Sequence, residues 1–427
     1  MGPSITSGRR LSALTQLAGA DEDVRHAIDV VSTVLPFKIN SYVLSELIDW
    51  DNVPDDPIYR LTFPHRDMLP PESFEEISNL LHRKASSGEL RSAADRWRGR
   101  LNPSPSSQLE ENIPQLAGRP VSGLQHKYSE TVLIFPSPGQ TCHSYCAYCF
   151  RWAQFVGIQD LKQGLTDPQL ARAYLQAHPE VSDVLFTGGD PMVMSTAVLR
   201  SYVSPILEPG LEHIRSVRFG TKAVAYWPYR FTSDPDARAL LNLFEEIIAT
   251  GRSVDIMLHL SHPREVESAA AQEAVRLIRS TGAVLRSQAP LVRHVNDRPE
   301  VWADMWRKQV NLGIFPYYFF VERDTGANRY FSLPLERAVK VYQEAVQRVS
   351  GLARTARGPV MSAAQGKVVI DDITVMHGQK VIVCRFLQAR DPSWCGRTFL
   401  ATGPADATWF SELRPLPGSP SFWSEGT

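Results

Sequence analysis

Thr141-Cys142-His143-Ser144-Tyr145-Cys146-Ala147-Tyr148-Cys149-Phe150 is the stretch on which the reading of this chain turns. It follows a β-branched and aromatic run, Thr131-Val132-Leu133-Ile134-Phe135, so the three cysteines lie on a loop leaving a strand. Thiolates spaced C-x3-C-x2-C can hold three irons of a 4Fe–4S cluster and leave the fourth iron open to an exogenous ligand. An open iron points to chemistry rather than to electron storage. A structural zinc would want four closed ligands, commonly two C-x2-C pairs, and no second pair exists here. Zinc held with His143, or three unrelated buried thiols, are the blander readings of the same residues.

The remaining 417 residues set the context for that loop. Only two further cysteines occur, Cys384 and Cys395, and they read as buried free thiols. Five cysteines in 427 residues cannot frame a disulfide-built secreted fold, so a reducing, cytoplasmic compartment is expected. Lys+Arg 45 nearly balances Asp+Glu 46, and a net charge of −1 announces no nucleic-acid partner. No stretch approaches the roughly 18 apolar residues of a membrane span. Arg9-Arg10 faintly resembles an export signal and Gly2 with Thr6 a myristoylation signal. Thr15 and Gln16 interrupt the apolar run of the first, and Pro3 argues against the second.

From about residue 130, short apolar runs alternate with helical patterns. The runs are 131–135, 184–186, 217–219, 254–258, 284–286 and 317–321; the helical patterns between them include 167–178, 235–249, 265–280 and 301–312. Alternation at this spacing implies right-handed βαβ units and a parallel sheet. Six strands favour an α/β fold of the partial (β/α)6, TIM-like barrel kind, with reactive groups at the carboxyl ends of the strands. Residues 1–120 read as an N-terminal helical region, 121–366 as the partial barrel, and 367–427 as a C-terminal β-hairpin extension and tail. Asn102-Pro103-Ser104-Pro105-Ser106-Ser107 is the expected linker, and Met376-His377-Gly378-Gln379 the hairpin turn.

The cysteine spacing after the first strand of such a core resembles the radical S-adenosylmethionine superfamily. The resemblance implies that the open iron chelates the methionine part of S-adenosylmethionine and that Tyr148 lies near the adenine. Thr187-Gly188-Gly189-Asp190-Pro191 looks like the turn that receives the methionine ammonium; its glycines admit backbone carbonyls and Asp190 offsets the charge. Over about residues 45 to 385 the chain further resembles the lysine 2,3-aminomutase family. Asp55 to Pro64, Val217 to Lys222, His259 with Ser261-His262-Pro263, Gln288 with Leu291 to Asp297, and Pro316-Tyr317-Tyr318 fall in that family's order. By that resemblance His259 and Gln288 join the S-adenosylmethionine pocket.

The family also binds pyridoxal 5′-phosphate through a lysine beyond the last core strand, which corresponds to Lys367. The glycine run before that lysine is reduced here to Gly366. His126-Lys127-Tyr128 looks like the family's His-Arg-Tyr segment, so Lys127 and Tyr128 are expected at the cofactor, lysine acting as a point charge without arginine's fork. Arg151 corresponds to the arginine that grips the substrate α-carboxylate, and Tyr317 is expected beside the substrate. Two aspartates that hold the ε-ammonium in the lysine enzymes correspond to Arg323 and Val360. A cationic arginine cannot stabilise a distal ammonium, so the substrate is expected not to be lysine but an acidic or neutral polar amino acid. A one-residue gap would put Asp324 there instead and reopen a basic substrate. The resemblance implies an aminomutase that moves an α-amino group to the β-carbon, served by a reductase or a flavodoxin or ferredoxin, in a family that often forms homo-oligomers. The alternative is the same scaffold without pyridoxal phosphate, performing another hydrogen abstraction such as dehydrogenation or epimerisation.

Overall fold

The computed structural model describes residues 3–103, 112–157, 163–419 and 423. Residues 104–107 of the linker segment, Gly2 and most of the final tail lie outside these. One 12-stranded sheet dominates, and its strands neighbour one another in chain order. We number them β1 (Leu124–Tyr128), β2 (Thr131–Ile134), β3 (Asp183–Phe186), β4 (Ser216–Thr221), β5 (Ser253–His259), β6 (Val284–Leu291), β7 (Ile314–Val321), β8 (Arg357–Ser362), β9 (Gly366–Met376), β10 (Gln379–Ala389), β11 (Thr398–Thr402) and β12 (Arg414–Pro415). Strands β2 to β8 run parallel to one another, while β1 pairs antiparallel with β2, and β9 to β12 continue the sheet antiparallel from β8.

A helix connects each parallel strand to the next, including Pro168–Gln176, Thr196–Leu207, Ala237–Ala249, Ala269–Ser280, Pro299–Asn311 and Leu335–Gln347. Several of these start where the chain supplies a cap: Asp167 accepts from the Gln169 amide at 2.9 Å and Ser268 from the Ala271 amide at 3.0 Å. The strands alternate. Val184 and Phe186 on β3 and Val217 and Phe219 on β4 are fully buried under the helices, while Asp183, Leu185, Arg218 and Gly220 face the opposite side and line a cavity. Phe186 stacks on Phe219, which meets Phe244 of the Ala237–Ala249 helix, both at 5.4 Å between centroids. Burying each such side chain contributes about 1.5–3 kcal/mol. The sheet curls until its distant strands meet: the Lys127 ammonium on β1 donates to the Ala363 carbonyl beyond β8, and Lys367 on β9 lies 5.3 Å from the Tyr128 ring.

Two features differ from the sequence reading. A seventh parallel strand, β8, runs through Arg357-Gly358-Pro359-Val360-Met361-Ser362, whose glycine and proline read locally as loop. The glycine is demanded from outside the segment, since a Cβ at Gly358 would sit 2.6 Å from the Phe319 carbonyl oxygen. The C-terminal region is also more than a hairpin. His377 and Gly378 both take positive φ, 51° and 77°, as a tight two-residue turn between β9 and β10 requires, and the sheet then continues through β11 and β12. Cys384 is buried there, but Cys395 is exposed, because it follows a surface turn, Pro392–Trp394, rather than an inward strand position.

The N-terminal region contains helices Glu22–Val34, Pro71–His82 and Ser87–Leu101. A short antiparallel pair, Ile5–Ser7 with Lys38–Asn40, accompanies them. Its buried side chains join one contiguous apolar cluster that runs from Leu11 to Trp423. No helix among the described residues is long and apolar enough to cross a membrane.

Candidate functional site

The cysteine loop leaves the carboxyl end of β2 and is pinned by the N-terminal region. Tyr145 N donates to Lys38 O and Ala147 N to Leu61 O, both at 2.8 Å. Asn40 N donates to Ser144 Oγ at 3.0 Å, and Lys38 Nζ to Thr141 Oγ1 at 2.9 Å. All three thiols are free. Burial raises the pKa of each, to about 12 for Cys149, and for Cys142 nearby Asp190 and the other two thiols add to the rise. Three thiolates held this close require positive charge among them. Among the described residues, no three His, Cys, Asp or Glu side chains converge on a point that one metal ion could occupy. Three separate thiols on one loop match the donor set of a cluster that takes one thiolate per iron.

Beyond β3, Gly188 (φ +139°) and Gly189 press against this loop. A Cβ at Gly189 would fall 2.2 Å from the Thr141 carbonyl oxygen, so no side chain fits there, while at Gly188 the positive φ is what disfavours one, the nearby atoms being the movable end of the Gln140 side chain. Asp190 is buried, accepts from Thr221 Oγ1 at 2.7 Å and from the Met192 and Lys222 amides at 2.9 Å, and is pushed by burial up to about 6. Tyr148 Oη meets His259 Nε2 at 2.7 Å and Ser261 Oγ at 2.8 Å. Burial, with Lys222 nearby, keeps His259 neutral, and Gln288 stands beside it in register on β6. Lys222 in turn forms a buried ion pair with Glu265 at 2.7 Å.

Across the cavity, half-buried Lys367 donates to Gln388 Oε1 at 2.8 Å and lies 4.8 Å from the Tyr318 ring. Removal from water, with Arg218 and Arg357 nearby, lowers its pKa to about 7 against a smaller opposing effect of Asp183. The buried Tyr128 hydroxyl beside it has no hydrogen-bond partner among the described residues. Arg151 is buried, 4.2 Å from the Phe135 ring, with Nη2 donating to Gln154 Oε1 at 2.9 Å and burial lowering it to about 10. Arg323 lies between Phe150 at 5.2 Å and Trp409 at 5.8 Å. The Nε atoms of both arginines are buried without a partner. Buried polar atoms are normally paired, and His143 Nδ1 in the same cavity is likewise without a partner among the described residues.

All fifteen residues singled out above, namely Cys142, Cys146, Cys149, Tyr148, Gly188, Gly189, Asp190, His259, Gln288, Lys367, Lys127, Tyr128, Arg151, Arg323 and Tyr317, line one cavity of about 400 Å³. Tyr317 has Arg286 and Arg357 at 5.5 and 4.4 Å from its ring. Asp324 and Val360 do not line the cavity; Val360 packs instead with Tyr318 and Val369. Sequence reasoning missed Lys38 and Asn40, which support the loop from about a hundred residues away and carry no local signal. It also missed the role of Arg218, which donates from Nε to Asp183 at 2.7 Å; polar residues at inward positions of otherwise apolar strands were the available clue.

The chain is 32% identical over 413 residues, 96% of both chains, to an Aquifex aeolicus protein described as "Putative L-lysine 2,3-aminomutase". It is 26% identical over 246 residues to the L-lysine 2,3-aminomutase of Clostridium subterminale, 58% of this chain and 56% of that one. With the Methanococcus maripaludis L-lysine 2,3-aminomutase the identity is 22% over 386 residues, 88% and 78% of the two chains. No protein-family model matches. A solved structure of Streptococcus suis SuiB bound to S-adenosylmethionine aligns at a TM-score of 0.39 and 11% identity over 76% of this chain and 70% of that one, too distant to bear on function. The chain belongs to the lysine 2,3-aminomutase family, as a divergent member.

Proposed function

We infer that this protein is an amino-acid 2,3-aminomutase, an isomerase that depends on a 4Fe–4S cluster, S-adenosylmethionine and pyridoxal 5′-phosphate, and that its substrate carries an acidic or neutral polar side chain rather than that of lysine. When bound, the cluster with S-adenosylmethionine would supply a 5′-deoxyadenosyl radical, and pyridoxal phosphate a π system over which an amino group can migrate. In this reading residues 1–120 support the cluster loop, 121–366 form a partial barrel carrying the chemistry, and 367–427 contribute the lysine. Cys142, Cys146 and Cys149 hold the cluster. Gly188, Gly189 and Asp190 receive the methionine ammonium, while Tyr148, His259 and Gln288 border the rest of S-adenosylmethionine.

Lys367, with a pKa near 7, keeps the free amine needed to hold the pyridoxal carbonyl. Lys127 and the unpartnered Tyr128 hydroxyl face that cofactor, and this orphan supports pyridoxal phosphate over the scaffold working without it. Arg151 fixes the substrate α-carboxylate, since hydrogen abstraction tolerates little misplacement. Arg323 receives the distal end of the substrate, with Tyr317 further along the wall. We place the enzyme in the cytoplasm, fed electrons by a reductase, flavodoxin or ferredoxin.

The observation that carries the substrate reading is a charge imbalance. Arg151 and Arg323 both line the cavity and each keeps a buried Nε without a partner among the described residues, whereas the carboxylates lining it, Asp183 and Asp190, are both bound to neighbours; Asp324 and Glu322 lie near Arg323 but do not line the cavity. A distal ammonium would meet a cation there. The test incubates reduced, reconstituted enzyme with a panel of free amino acids and quantifies 5′-deoxyadenosine and β-amino products. Glutamate or aspartate should be turned over in preference to lysine; lysine as the best substrate would overturn the reading.

A further inference from the structure

Tyr226 ends a short helix, Ala223–Tyr226, that follows β4. It is 1% exposed, and its hydroxyl lies 3.3 Å from Cys146 Sγ, its one hydrogen-bond partner among the described residues. Two contacts hold it there. Asn40 Nδ2 donates to the Tyr226 carbonyl at 2.8 Å and to the His143 carbonyl at 3.4 Å, tying the tyrosine to the cysteine loop, and Lys222 Nζ sits 4.8 Å from the ring. A buried tyrosine hydroxyl needs a partner. A thiolate bound to iron carries no proton, so in the loaded protein the hydroxyl must be the donor and sulfur the acceptor.

We propose that Tyr226 is a positioning residue that tunes the cluster: its O–H···S bond to Cys146 favours the reduced, more negative cluster and so raises its reduction potential. Hydrogen bonds to cluster sulfurs are among the levers that set such potentials. The effect eases the first electron into the site without touching substrate, and the N-terminal region takes part through Asn40. The inference rests on ligation of the cluster by Cys142, Cys146 and Cys149, and is independent of the pyridoxal phosphate and substrate readings.

The experiment compares reconstituted wild type, Tyr226→Phe and Tyr226→Leu, with Tyr145→Phe as control. Tyr145 lies on the same loop, but its hydroxyl bonds Thr141 Oγ1 at 3.1 Å rather than sulfur. Iron and sulfide are counted first, and the potential is then read by EPR-monitored redox titration. Both Tyr226 variants should bind a full cluster and show a roughly tenfold lower ratio of reduced to oxidised cluster at a fixed potential, about 59 mV for one electron. Tyr145→Phe should not move. An unchanged potential in Tyr226→Phe, or an equal shift in Tyr145→Phe, overturns the proposal. So does failure of both Tyr226 variants to bind iron, because a donor to an already coordinated thiolate is not needed to hold the cluster. Absence of iron from the wild type overturns the ligation itself, and the inference with it.

Discussion

The two ends of the cavity are built differently. At the cysteine end most polar groups are paired, His143 Nδ1 and Gln140 Oε1 excepted: Asp190 accepts a hydroxyl and two backbone amides, Tyr148 meets His259 and Ser261, and Lys222 is neutralised by Glu265. At the lysine end, Tyr128 and Arg323 keep buried polar atoms without partners among the described residues, and Lys367 has surrendered much of its basicity; Arg151, with its own unpartnered Nε, stands near Cys149 and Cys142. A paired network is rigid and fit to hold a constant group, whereas unpaired donors wait for a ligand and determine which one fits.

The largest effect expected is at the paired end. Cys146→Ala should abolish 5′-deoxyadenosine formation, by more than about 10³-fold, while the cofactor-free protein unfolds at nearly the wild-type temperature. A large drop in that temperature would mean the loop is structural and the contrast false. Next, Lys367→Ala should lower amino migration by roughly 10²–10⁴-fold and remove the borohydride-sensitive absorbance of bound pyridoxal phosphate. Iron content and uncoupled deoxyadenosine formation should survive. Full turnover in this variant would break the division of labour outright.

Arg323→Leu should lower kcat/KM for an acidic substrate by about 10–150-fold, the range of a lost hydrogen bond to a charged group, and should narrow the gap to lysine. Arg151→Leu should depress all amino acids alike. Equal profiles for the two variants would show that the unpaired end does not discriminate. The smallest effect is in pH. With its pKa near 7, Lys367 gains its free amine as pH rises through that value. Pyridoxal phosphate loading should therefore rise about fivefold from pH 6 to 7 and less than about twofold from 7 to 9. Loading that climbs steadily to pH 10 would mark an ordinary solvated lysine. Since the folded state binds this proton less tightly than the unfolded chain, the associated destabilisation grows as pH falls from the ordinary lysine range and is complete below about 7.

What the sequence determined by itself lies mostly at the paired end. Cys142, Cys146 and Cys149 are neighbours on one loop, Gly188-Gly189-Asp190 ends one strand, and local spacing of this kind is visible without a fold. The six apolar runs that became strands were legible because one face of each is fully buried under helices. The seventh was not, because Gly358 answers to Phe319 across the sheet rather than to its own neighbours. Tertiary structure alone decided the rest. Whether Arg323 or Asp324 enters the cavity is a one-residue question that the backbone after β7 settles, and Arg323 lines it. The pairing of Tyr226 with Cys146, the support of the loop by Lys38 and Asn40, and the lowering of Lys367 by Arg218 join residues far apart in the chain, Tyr226 and Cys146 80 positions and Lys38 and Thr141 103. Such contacts exist only once the sheet has curled, and no periodicity in the chain encodes them.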